Sequence, residues 1–232
     1  MLINDLRSQL TLAQRAGLAA LAMKKAIDDD LTDIMRMVGA GAGSVYIPMV
    51  SRSSPTPLGL LFFSIQPINQ QTTALRKRVI PMESLAGRCF LSGNGIVSAN
   101  PKTDRSHYDK ADKVSGFRTE DALTVPLTTN GPPIGVLQLL NKQGTDPFDE
   151  ADLRTAESSS RRIAERLADV LSDPANLDTL GITPEKEAQH ASVLFGSSGE
   201  RWARRSRACM FVSGSRVVRS ISPRWGITST RM

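Results

Sequence analysis

The sequence predicts an α+β domain: a mostly antiparallel sheet of five or six strands, terminal helices on one face and a helix-and-loop lid on the other. Three observations carry that expectation. Amphipathic helical patterns bracket the region, over residues 2–38 and 149–171. Between them lie short apolar runs separated by turn residues, as strands joined by loops require. One run, Ile134 to Leu140, is almost continuously apolar, which suits a central strand covered on both faces.

Taken in order, Leu2, Leu6 and Leu10 have helical spacing before Gly17 weakens the pattern. Leu18, Leu21, Ile27, Leu31, Ile34 and Val38 then continue an amphipathic helix up to Gly39-Ala-Gly-Ala-Gly43. That break reads as a flexible helix-to-strand turn, because a phosphate-cradling loop would end in Lys-Ser or Lys-Thr. Ser44–Val50 and Leu58–Ile65 read as strands around a polar hairpin loop at 51–57, and Leu75–Ile80 as a short strand or extended segment after a second loop. Ser84–Leu91 has the spacing of a short helix, closed by Ser92-Gly-Asn-Gly95, with a short strand at Ile96-Val97. The polar segment from Asn100 to Gly116 has the length of a lid or binding loop.

Ala122 to Asn141 reads as two strands joined at Asn130-Gly131, a dipeptide suited to a type I′ turn because both central positions need positive φ. Pro132 and Pro133 cannot donate ladder bonds, so full pairing starts at Ile134. Gln138 alone interrupts the apolar run of the second strand. Asp149–Leu171 is a helix with Ala156, Ile163, Leu167, Val170 and Leu171 on its apolar side. Its Glu157/Arg161 spacing supports the helix and its Arg162/Arg166 spacing opposes it weakly, as on a solvated face. Pro174 ends it, and 174–195 reads as a linker with a polar helix entry at Pro184–His190.

Composition narrows the class. Hydrophobic residues at 40% and charged residues at 22% of 232 describe a globular chain. No apolar run approaches the ~20 residues of a membrane span, and no signal pattern opens the chain. With only Cys89 and Cys209, no disulfide framework is expected and the cytoplasm is the default compartment. Two Cys and two His are too few for a four-ligand structural zinc site. The net charge of +6 belongs to the tail: Gly196–Met232 holds eight Arg and one acid, Glu200, a balance of +7, so the other 195 residues sum to −1. Nucleic acid is therefore not the expected partner of the folded part, and no nucleic-acid module pattern accompanies the Arg and Trp of the tail.

Gly116-Phe117-Arg118-Thr119, Leu123–Leu127, Ile134–Lys142, Phe148 and Asp152 together resemble a GAF domain, a PAS-like fold, and in particular the GAF domains of cyclic-nucleotide phosphodiesterases and bacterial adenylate cyclases. The family hallmark is Asn-Lys, a variable gap, Phe, three residues, then Asp-Glu. Asn141, Lys142, Phe148 and Asp152 match it, and Leu153 stands where the last acid belongs. The resemblance covers 13–173, which makes 1–12 a helical extension. It implies a small-molecule sensor, with cAMP or cGMP as ligand and no other cofactor, working as a homodimer through its terminal helices; a ligand-free dimerisation module is the other reading.

By the same resemblance, Leu85 and Ala86 would offer backbone N–H groups to a cyclic phosphate at a helix N-terminus. Tyr108 and Asp112 would lie on the lid, Ser115 and Thr119 would contact phosphate, sugar or base, and Gln138 would project into the pocket as donor and acceptor. No catalytic set emerges. His107 and His190 lack a nucleophile in a known context, Cys89 lies on an apolar face, and the acids at 146–152 suit a helix start without a metal. Some GAF-like proteins reduce methionine sulfoxide with several cysteines, and one cysteine in the domain leaves that chemistry incomplete, so no enzyme is expected. Beyond the domain, Ala191–Phe195 resembles the opening strand of a class III nucleotidyl cyclase. Gly196-Ser-Ser-Gly follows where a metal-binding Asp belongs, so 196–232 reads as an irregular tail, the remnant of a disrupted downstream domain.

Overall fold

In the computed structural model, residues 2–51, 54–75, 78–101, 116 and 118–181 are described. Helix α1 (Leu2–Val38) leads into two long strands, β1 (Ala40–Ser51) and β2 (Ser54–Gln66). A single-turn helix, α2 (Gln70–Thr73), and a short strand, β3 (Val79–Ile80), precede helix α3 (Leu85–Ser92) and strand β4 (Ile96–Ser98). Strands β5 (Ala122–Leu127) and β6 (Gly135–Lys142) follow, then helix α4 (Glu150–Ser172) and the short α5 (Pro174–Thr179). The strands form one antiparallel sheet in the order β3-β2-β1-β6-β5-β4. Hence β1 and β6 lie at its centre.

The pleat sorts side chains between two cores. Leu123, Val125 and Leu127 of β5 and Leu137 and Leu139 of β6 point to one face, where they pack with Leu31 and Ile34 of α1 and Ile163 and Leu167 of α4. Alternate residues point to the other face, where Tyr46, Phe62 and Val136 pack against Ala86 and Cys89 of α3. Thr124 and Gln138 share that second face by the same alternation. A register irregularity lies beside Val45/Tyr46, where Val45 pairs with Ser64 and Tyr46 with Phe62. The extra β2 residue lets both Phe63 and Ser64 face the terminal helices: Phe63 lies under Lys24, and Ser64 Oγ donates to Asp28.

Several expectations are corrected. Only Gly39 (φ 70) acts as a turn between α1 and β1; Ala40–Gly43 is already strand, with Ala40 opposite Lys142. The glycine at 43 serves close packing, since an added Cβ would lie 2.9 Å from Leu31 Cδ1 and Met35 Sδ. The loop foreseen at 51–57 is shorter, with Ser51 and Ser54 paired and Pro55 and Pro57 within β2. Asn130-Gly131 does not form a type I′ turn: neither residue has positive φ, and the strands close at Leu127–Gly135 with Ile134 N donating to Leu127 O at 2.8 Å. Pro132 explains this, because a residue before proline is pushed towards extended backbone. The linker is also corrected at its start: α5 folds back, burying Leu177 in the main core. Pro184–His190, Ala191–Phe195 and the tail 196–232 lie outside the described residues.

The face of α4 foreseen as solvated holds an ion cluster. Asp30 of α1, 8% exposed at its side chain, lies between Arg162 Nε (3.7 Å) and Arg166 Nη1, and Arg166 also donates to Ala26 O at 3.1 Å. The two arginines that oppose each other along α4 are thus held by one carboxylate from α1.

Candidate functional site

Two of the implied ligand contacts, the start of α3 and Gln138, lie on the lid face of the sheet. Helix α3 starts there because Ser84, in extended backbone, caps it: Ser84 Oγ accepts from Gly87 N at 3.1 Å. That leaves the first two amides, of Leu85 and Ala86, with no hydrogen-bond partner among the described residues. Gly87 lets this turn sit on the preceding chain, since an added Cβ would meet Met82 O at 2.3 Å. Gly93, left-handed at φ 68, closes the helix. Two open amides at the positive end of a helix favour an anion.

Gln138 lies on the same face at the sheet centre. Its Oε1 accepts from Tyr46 Oη at 3.0 Å, and its amide NH2 has no partner among the described residues. Across the register stand Ser44 on one side and Thr124 on the other. Thr124 is wholly buried, and its Oγ1 is the buried side-chain polar atom without a hydrogen-bond partner among the described residues. Burying a hydroxyl unpaired costs about 1–3 kcal/mol. Thr119 is 2% exposed just ahead of β5. Tyr108, Asp112 and Ser115 lie outside the described residues, so α3, Thr119 and Gln138 are the implied contacts that can be placed. Ser44 and Thr124 were not foreseen: the two-residue period sets Thr124 on the face opposite Leu123, and only the β5–β6 register puts it beside Gln138.

The Asn-Lys…Phe…Asp hallmark builds a clasp behind the site. Asn141 (φ 55) accepts from Glu120 N at 2.8 Å through Oδ1 and donates to Arg118 O at 2.7 Å through Nδ2. Lys142 N donates to Asp121 Oδ1 at 2.8 Å, and Phe148 N donates to Asp121 Oδ2 at 3.3 Å. Lys142 Nζ reaches Asp152 Oδ2 at 2.5 Å, which raises the lysine pKa through that hydrogen bond first. Asp152 also accepts from Asp149 N at 3.0 Å, and Asp149 accepts from the amides of Asp152 (2.9 Å) and Ala151 (2.8 Å). Those amides, Asp152's foremost, lower the Asp149 pKa. Together these bonds tie the segment before β5 and the end of β6 to the start of α4. Leu153, in the place of the last acid, packs in the helix-side core.

Cys89 is fully buried on α3, and burial pushes its thiol pKa up to about 12, so it is protonated at neutral pH. Among the described residues no group of three His, Cys, Asp or Glu could hold a metal ion, and no helix is long and apolar enough to cross a membrane.

Comparison with known folds agrees with this architecture. The GAF domain of a phosphoenolpyruvate-protein phosphotransferase from Coxiella burnetii is similar, with a TM-score of 0.53 at 14% identity over 69% of this chain and 93% of that one. A type II free methionine-R-sulfoxide reductase from Thermoplasma acidophilum superposes with a TM-score of 0.51 at 10% identity, over 65% of this chain and 96% of the other. At such identities the likeness is one of fold. Comparison with curated protein sequences returns no match. The family description "GAF domain" matches residues 25–167, well over half of the chain. With that match, the six-stranded sheet and its helix-capped lid face, the chain belongs to the GAF family, sensory and regulatory domains of the small-molecule-binding type.

Proposed function

We propose that this domain senses a cyclic nucleotide on the lid face and relays occupancy through its terminal helices, which pair with those of a second copy. The observation that carries the reading is the juxtaposition on one face of two open amides at the α3 N-terminus and the neutral amide of Gln138. The first suits a phosphate and the second a sugar hydroxyl or base edge. Pairing through α1 is supported by Leu18 and Leu21, 68% and 52% exposed one turn apart. A non-enzymatic role is supported by the protonated, buried state of Cys89.

Calorimetry and thermal melts of the full chain with cAMP and with cGMP test the ligand. Ligand at a hundred times its Kd should stabilise the fold by about 2.7 kcal/mol. No rise in Tm with either nucleotide at millimolar concentration removes the cyclic-nucleotide reading. Light scattering at tens of micromolar should find a dimer. A dimer that no nucleotide stabilises makes the domain a dimerisation module, whereas a strict monomer counts against the relay.

A further inference from the structure

Thr124 occupies a position where valine would satisfy every packing demand. It is β-branched, wholly buried in a strand, and flanked in the chain by Leu123 and Val125. Its hydroxyl nevertheless has no partner among the described residues. Directly across the β5–β6 ladder is Gln138, whose Oε1 is taken by Tyr46 and whose NH2 is not taken. Side chains opposed in this way have Cβ atoms about 5 Å apart, close enough for two groups to meet the same small partner. The third neighbour in the row, opposite Thr124 on β4, is the apolar Ile96. Thr124 and Gln138 are both uncharged, so they complement a neutral group.

We infer that Thr124 is a specificity-determining ligand contact: with the Gln138 amide it receives a neutral heteroatom of a heterocycle, such as a carbonyl oxygen or ring nitrogen, at the sheet end of the site. This rests on the lid face being the ligand site, and it adds which end of the ligand faces the sheet. The open α3 amides take an anion, and the Thr124–Gln138 pair takes the uncharged heterocycle. A carboxylate or phosphate would find one hydroxyl and one amide there, both uncharged. A hydroxyl can donate or accept, so the pair fits an edge carrying an acceptor beside either kind of group.

The test measures affinities of the full-length wild type, Thr124→Val and Thr124→Ser for cAMP, cGMP, adenosine and guanosine, with melting curves of each ligand-free protein. Thr124→Val should weaken every probe that binds wild type by about tenfold, the effect of leaving one polar partner unmatched. Its ligand-free Tm should hold or rise, because an unpaired buried hydroxyl is removed. Thr124→Ser keeps the hydroxyl and should restore affinity to within about threefold. Nucleotides that bind wild type and Thr124→Val equally overturn the inference and leave the proposed function standing. Nucleosides that bind and lose affinity in Thr124→Val, with no gain from the cyclic phosphate, uphold the inference and overturn the cyclic-nucleotide reading. Absence of binding by all four probes overturns both.

Discussion

Asn141 is the one non-glycine residue with positive φ among the described residues, at φ 55. Asparagine tolerates the left-handed region better than most residues, and here both ends of its amide are used by the chain before β5. The family's Asn-Lys pair is thus explained by backbone chemistry and needs no ligand contact. Asn141→Ala should lose two hydrogen bonds worth about 1 kcal/mol each and add left-handed strain, for a total of about 2–3 kcal/mol in urea denaturation. Asn141→Gly loses the same bonds without the strain and should be roughly 1 kcal/mol less costly. Equal costs for the two substitutions would show that φ plays no part.

The two long helices are held in register by a charge as well as by apolar packing. Asp30 on α1 is nearly buried, whereas Arg162 and Arg166 on α4 remain 59% and 38% exposed at their side chains. The partners are therefore unequal. Losing Asp30 frees two arginines that can swing into water, whereas losing Arg166 leaves a buried carboxylate with one distant cation. Arg166→Ala should destabilise by about 2–3 kcal/mol and Asp30→Asn by about 1 kcal/mol, both by chemical denaturation. The reverse order would mean that Asp30 is solvated.

At the scale of the whole molecule, the sheet separates a helix-side core from a lid-side core, and α5 completes the first of these. Leu177 is 1% exposed among residues of the main core, and Asn176 Nδ2 bonds Val170 O at 3.2 Å. The folded unit thus extends past the proline that ends α4. A chain ending at Asp173 should melt roughly 5–10 °C below one ending at Gly181, and Leu177→Ala in the full chain should cost about 2–4 kcal/mol. Identical melting of the two shortened chains would make α5 an appendage.

The periodicity of Ile27 to Val38 and of Ile163 to Leu171, the almost continuous apolar run of Ile134 to Leu140 and the short helix at Ser84–Leu91 were legible from local sequence, because each depends on residues within a few turns or one strand. The family match was legible from the order and spacing of its motif residues, although the bonds of Asn141 and Lys142 reach 10 to 23 residues along the chain. What escaped were decisions made between distant segments. Asn130-Gly131 lost its preferred turn to the prolines that follow and the register they impose. Arg162 and Arg166 changed from a mildly repulsive pair on one helix to two arms of a buried ion cluster, because α1 brings Asp30 between them. Thr124 gained its unpaired hydroxyl, and its place beside Gln138, only when β5 and β6 aligned. Local pattern determined which segments become helices and strands and which faces they bury. Tertiary pairing alone decided which polar groups meet, because that depends on register and crossing, and neither is encoded within any one segment.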